Sequence, residues 1–306
     1  MSKPLMDDEL PCIIKVFLHR AGGNISEQRY QCFVGGVFSF ALPVLALLPA
    51  AAVAAQFSFG VVPQQSASEL AYLWTPMLSY LGEKISLKLE FRTAKDIPTF
   101  EQRLAAGEYD FAYMNPYHYV VFHDLAGYRA LAKEKGQKLV GIIVVHKSSR
   151  YNEIVELNGA EVALPGPRAF GASILPLAVL KTRGILVKPR YVSSHESVYL
   201  SVAKGFFPAG GGIARTFENS EPSVREQLRV LWRTPGYTPH AIAAHPRVPK
   251  EIARTLQKAL TTLDQEPRGS GLLRAIGFQG LVAARDKDYD DIRALDFRTL
   301  ERILPK

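Results

Sequence analysis

Apolar and polar positions along the chain fall into short dense runs that alternate with longer amphipathic ones. Phe57 to Val62 is an apolar run of strand length, and Pro63-Gln64-Gln65-Ser66 reads as the turn that follows. Ser66 with Glu69 has the spacing of a capping box, which predicts a helix to about Leu81 with a kink or break at Pro76. Leu87, Leu89 and Phe91 alternate with polar residues and predict a half-exposed strand over Ser86 to Arg92. Ile97 to Ala106 has an amphipathic helical pattern ended by Gly107. The densest stretch is Tyr109 to Tyr119. Tyr109 to Met114 reads as a short buried strand that turns into a helix, with Asn115 as N-cap and Pro116 at the first helical position.

The alternation continues. Tyr128 to Ala132, Lys138 to His146 and Glu161 to Leu164 read as strands, and Pro165-Gly166-Pro167-Arg168 leads into a helix from Ala169 to Arg183, stopped by Gly184. Pro189 to Val192 is strand-like, and Ser193 with Glu196 offers a second capping box for the helix after it. Leu228 to Trp232 and His240 to Ala244 are strand-like, and the tail from Pro249 to Pro305 is mostly helical with a break around Gly269 to Gly280. Repeated βα units predict a mainly parallel sheet covered on both faces, and ligands of such sheets sit at the carboxyl ends of strands, where helices begin. Gly210-Gly211-Gly212 allows two readings, a backbone nest for an anion or a close approach of strand and helix.

The start of the chain has a different pattern. Gln31 to Ala55 is almost wholly apolar, follows Arg29, and ends in Ala50-Ala51-Ala52-Val53-Ala54-Ala55, a small-residue cleavage pattern. Residues 1–55 therefore read as a signal peptide for export to the periplasm, with an uncleaved membrane anchor as the alternative. Both cysteines, Cys12 and Cys32, lie in this leader, so the chain beyond it has no thiol chemistry. At 306 residues, 47% hydrophobic and 22% charged, the chain as a whole is long enough for two lobes. The net charge of +8 suits an anionic partner, but no block of consecutive basic residues argues for nucleic acid.

Catalytic patterns are missing. The chain has no Gly-x-Ser-x-Gly elbow, His-Glu-x-x-His, Walker loop or strand-following Gly-x-Gly-x-x-Gly, and the His118/His123 and His240/His245 spacings do not align two imidazoles on one helix face. The reading is of a binding protein, not an enzyme, with no cofactor.

Four stretches carry a more specific likeness: Gly60-Val61-Val62-Pro63-Gln64-Gln65-Ser66, Asp110-Phe111-Ala112-Tyr113-Met114-Asn115-Pro116, Ser194-His195-Glu196-Ser197-Val198 and Leu231-Trp232-Arg233-Thr234-Pro235. In that order they resemble the phosphonate-binding, PhnD-like family, the substrate-binding components of phosphate/phosphite/phosphonate ABC transporters. The resemblance implies an α/β, type II periplasmic-binding-protein fold: two α/β lobes joined by crossover strands. Lobe 1 would hold residues 56–144 with 240–306 and lobe 2 residues 145–239, with crossovers at Ile143 to His146 and Pro239 to Ala243. It implies a monomer that captures a small anionic solute and delivers it to an ABC permease in the inner membrane. A sensor module reporting the solute to a signalling partner is the alternative.

The ligand-binding candidates are Ser66, Tyr113, Asn115, Tyr117, Arg168, Ser173, Ser194, His195 and Glu196. Several have a second reading: Glu196 as a helix cap, Arg168 as a solvated loop residue, His195 as a surface or packed histidine, Ser173 as a residue facing solvent or core. The family's Ser-Thr-Ser cluster aligns with Ala169-Phe170-Gly171, and its tyrosine positions with Ile97 and Met114. A cleft that is more apolar than a bare oxyanion needs is the expectation.

Overall fold

The computed structural model describes residues 55–295, so apart from Ala55 the leader lies outside the described residues. The chain folds into two sheets. The first contains β1 (Gln56–Val61), β2 (Lys88–Arg92), β3 (Phe111–Met114) and β4 (Arg129–Glu134), joined late in the chain by β10 (Ala241–Ala244) and β11 (Leu281–Ala283), in the order β11-β4-β10-β3-β1-β2. The second contains β5 (Gly141–His146), β6 (Glu161–Leu164), β7 (Lys188–Tyr191), β8 (Ala209–Ile213) and β9 (Leu228–Arg233), in the order β7-β6-β8-β5-β9.

Each sheet with its helices forms a lobe. Lobe 1 carries α1 (Ala67–Ile85), α2 (Ile97–Ala105), α3 (Pro116–Ala126), α8 (Lys250–Thr261), α9 (Pro267–Ala275) and α10 (Asp290–Arg293). Lobe 2 carries α4 (Leu175–Thr182), α5 (His195–Ala203), α6 (Ala214–Glu218) and α7 (Pro222–Arg225). Among the described residues no helix is long and apolar enough to cross a membrane.

The sheets are mixed, not mainly parallel. β1 pairs in parallel with β2 and β3, but β10 returns from the other lobe and runs antiparallel to both β3 and β4. In lobe 2, β5 is likewise antiparallel to β8 and β9. A strand that enters from the opposite lobe arrives without the crossover helix that would turn it parallel. The two passages between lobes are residues 135–140 and 234–240. They bind each other: Leu139 N–H donates to Tyr237 O at 2.8 Å, and Tyr237 N–H to Leu139 O at 2.9 Å. Val144, the boundary read from sequence, sits inside β5 in the second sheet.

Two local features depart from the pattern-based reading, and a third decides between two. Helix α1 continues through Pro76 to Ile85. Pro76 lies on the exposed face, and the carbonyl its ring leaves unpaired belongs to the solvent-facing turn at Tyr72, where water can take over. The helix expected from Ala169 opens instead with one turn of π-helix, Phe170–Ile174, before α4. The triple glycine is part of β8, at the centre of its sheet. A Cβ on Gly211 would stand 2.0 Å from the Ala172 carbonyl oxygen, and one on Gly212 2.2 Å from Tyr199 Oη. Of its two readings, close approach is the one observed.

Candidate functional site

The carboxyl ends of β1 and β3 point at lobe 2, so the helices that follow them begin at the seam between lobes. Ser66 caps α1 by accepting Glu69 N–H at 3.3 Å, and Asn115 caps α3 by accepting His118 N–H at 2.8 Å through Oδ1. Across the seam Ser194 caps α5, accepting Ser197 N–H at 3.0 Å. The expected Ser193 cap shifts by one residue because Ser193 takes a left-handed φ of 73° and Ser194 the extended one.

Neither capping box closes on itself. Ser66 N–H, which Glu69 would take in a box, donates instead to Glu196 Oε2 at 3.0 Å across the seam. An N-terminus with a partial positive charge is thereby matched with a carboxylate of the other lobe. Further hydrogen bonds join the lobes. His195 N–H donates to Gln64 O at 3.0 Å, and Asn115 Nδ2 to Arg168 O at 3.3 Å. Arg168 Nη1 donates to Glu101 Oε2 at 3.2 Å. The lobes are closed on each other.

Of the sequence-based candidates, Ser66, Tyr113, Asn115, Arg168, His195 and Glu196 have polar atoms engaged across the seam. Ser194 positions His195 and Glu196. Tyr117 is buried in the first turn of α3. Ser173 is fully buried in the π turn, and its Oγ has no hydrogen-bond partner.

Sequence reasoning missed Gln64, Glu101, His118, Glu134, Arg215 and His240. Gln64 Nε2 donates to His240 Nε2 at 3.0 Å, and the His240 ring stacks on Tyr113 at 5.0 Å. Arg215, at the start of α6 in lobe 2, reaches into lobe 1. Its Nη2 donates to Tyr113 Oη at 2.6 Å and to Gln64 Oε1 at 3.3 Å, and its guanidinium lies over the Phe278 ring at 5.0 Å. A reading of β8 as a strand would have flagged Arg215, which stands just past its carboxyl end.

The electrostatics follow from closure. Burial first, and then the Arg215 charge, pushes the His195 pKa down to about 3. Burial followed by Arg215, His195 and His118 holds His240 well below the usual imidazole range. Both rings are neutral. Burial raises the Glu134 carboxyl against the pull of Arg215 Nε, 3.8 Å away. Glu101 goes the other way. Burial alone would raise it, but the hydrogen bond and charge of His118, then Arg168, leave it below the usual carboxylate range.

Several cavities remain at the seam, one of about 260 Å³ between Gln65 and Glu69 of lobe 1 and His195, Glu196, Tyr199 and Thr216 of lobe 2. A gap of about 10 Å³ lies among Val62, Gln64, Ile97, Asn115, Phe170, His195 and His240. Another, of about 100 Å³, has apolar and aromatic residues (Leu70, Leu73, Trp74, Tyr113, Ile276) on one side and polar ones (Gln64, Gln65, Glu69, Thr216, Asn219) on the other, with Arg215 entering it. Among the described residues no group of His, Cys, Asp and Glu side chains gathers as metal ligands. The arrangement can hold an anionic head against a guanidinium and helix N-termini, and an apolar portion against aromatic walls.

A family profile described as "ABC transporter, phosphonate, periplasmic substrate-binding protein" matches residues 59–289. The chain belongs to this family. Membership brings a periplasmic location and a role as the substrate-binding component of an ABC importer. Among curated relatives, the chain is 21% identical over 268 residues to the phosphate-import protein PhnD of Mycolicibacterium smegmatis, covering 77% of this chain and 83% of that one. Among solved structures it resembles the binding protein of a Pseudomonas aeruginosa ABC phosphonate transporter: TM-score 0.75, 16% identity, 82% of this chain and 88% of the other. PhnD1 of Prochlorococcus marinus in complex with methylphosphonate gives TM-score 0.73 and 16% identity, over 80% of this chain and 98% of that one. At such identities the structural likeness speaks for the fold, which is that of two-lobed periplasmic binding proteins.

Proposed function

We propose that this phosphonate-family binding protein captures a small organic anion between its lobes and passes it to an inner-membrane ABC permease. The solute is an organophosphonate, phosphate ester or carboxylate with an apolar portion. One observation carries this reading: Arg215 enters an interlobe cavity that sets an apolar and aromatic wall (Leu70, Leu73, Trp74, Tyr113, Ile276) beside a polar one (Gln64, Gln65, Glu69, Thr216, Asn219). A free phosphate there would leave the apolar wall without a partner, and each oxygen turned towards that wall would go unbonded at a cost of roughly 1–3 kcal/mol. An organic anion satisfies both kinds of wall. The phosphate and methylphosphonate named for its relatives support an oxyanion head.

Calorimetry across a small anion panel is the test. Organic anions should bind more tightly than phosphate or phosphite, and Arg215→Ala should weaken the best ligand by about 1.5–3 kcal/mol, the loss of a charge-assisted hydrogen bond. Sub-micromolar binding of inorganic phosphate or phosphite with no organic competitor overturns the reading. Export follows from the leader: residues 1–55 act as a cleaved signal, and the mature chain begins between Ala54 and Phe57. N-terminal sequencing of the periplasmic form checks this, and retention of the apolar segment favours a tethered sensor.

A further inference from the structure

Far from the seam, lobe 1 has a recess of about 490 Å³ that the solute-capture reading does not use. The strand register places it. β3 runs towards Asn115 at the seam, and its first residue, Phe111, pairs with Ala244, which in turn pairs with Arg129 at the start of β4. Arg129 and Ala244 both line the recess, so it opens at the opposite end of the sheet.

Four cationic side chains stand around it: Arg129, Lys250, Arg254 and Arg285. Among the described residues Arg129, Lys250 and Arg285 make no ion pair. Arg254 pairs only with Glu251, one turn away on α8 and well exposed, a contact of little weight. The one carboxylate in the lining, Asp286, is already bonded to Arg293 and Tyr119, with His123 Nε2 3.5 Å away. The floor is apolar, with Leu131, Val248 and Ala284 in it. Cations gathered around a concave apolar floor repel one another until an anion enters. The first turn of α8 adds to the pull, because its N-cap, Pro249, offers no side-chain acceptor for the leading N–H groups.

We propose that this recess is a second binding site, for a multiply charged phosphate-bearing group. Three of the four cations are arginines, whose planar forks pair bidentately with phosphate oxygens. Four positive charges suit a diphosphate better than a single carboxylate. The site is independent of the interlobe cavity, and the test keeps the two apart.

Inorganic pyrophosphate is titrated calorimetrically at low ionic strength into the full chain, an Arg129→Gln/Arg285→Gln variant and an Arg215→Ala variant. Both glutamines replace exposed side chains, so the fold is kept. The parent and Arg215→Ala should bind alike, and the double variant should bind roughly tenfold or more weakly. No binding to the parent, unchanged binding to the double variant, or loss on Arg215→Ala overturns the proposal. Flotation with vesicles rich in anionic phospholipid separates the sources. Co-flotation lost in the double variant assigns the group to a lipid headgroup. Pyrophosphate binding without co-flotation assigns it to a soluble phosphate.

Discussion

Arg215 and the glycines before it show how one segment serves both packing and binding. Gly211 lets β8 pass against the π turn, since a Cβ there would meet the Ala172 carbonyl oxygen, a backbone atom that cannot swing away. Gly211→Ala should therefore lower stability by roughly 1–3 kcal/mol, as overpacking does, and shift the denaturant midpoint without a change in slope. An unchanged midpoint would mean that the π turn yields easily. The same glycines concealed Arg215 from the sequence reading, because a Gly-rich run without β-branched residues carries no strand pattern. The seam residues that were legible, such as Asn115 and Ser194, sit at caps, where the chemistry is local. Gln64, Glu101 and His240 were not, because their partners lie 176, 67 and 176 positions away.

At the scale of elements, the helix starts were well legible and their partners were not. Both capping-box patterns predicted a carboxylate folding back on its own helix. The structure instead gives Glu196 of α5 to the N-terminus of α1, since in the closed state a cross-lobe acceptor stands nearer to Ser66 N–H. The consequence separates folding from closure. Ser194→Ala removes the true cap of α5 and should cost about 1 kcal/mol in thermal or chemical unfolding. Glu196→Gln should leave α5 intact and loosen the seam, read as a larger radius of gyration in small-angle scattering without ligand. Were Glu196→Gln to destabilise folding as much as Ser194→Ala while the radius stayed fixed, the carboxylate would be a cap after all. The mixed sheet order was out of reach for the same reason as the seam contacts: strand direction depends on which lobe a strand comes from, and no periodicity records that.

For the whole molecule, closure buries imidazoles, and that makes the lobe equilibrium sensitive to pH. His195 and His240 are neutral and enclosed when the lobes meet, the first with its pKa pushed to about 3 and the second well below the usual range. In an open molecule both would face water, where an imidazole titrates near about 6.5. A depressed pKa in the closed state means that protons bind the open state better. The stabilisation of closure is thus complete above about pH 6.5 and drains away below it, by up to about 1.4 kcal/mol per pH unit for each histidine, until the closed-state pKa is reached. Glu101 is held below the usual carboxylate range by His118 of its own lobe and then by Arg168 across the seam, so only the Arg168 share adds a loss of the same sign to closure at a lower pH. Ligand-free protein should hence expand as the pH falls from about 7.5 to about 5, with the Trp74 fluorescence following as its interlobe cavity opens. His195→Gln, which cannot be protonated, should flatten part of that response. A radius of gyration that stays constant over this range, in protein that remains folded by circular dichroism, would show that the two imidazoles are not what closure protects from water.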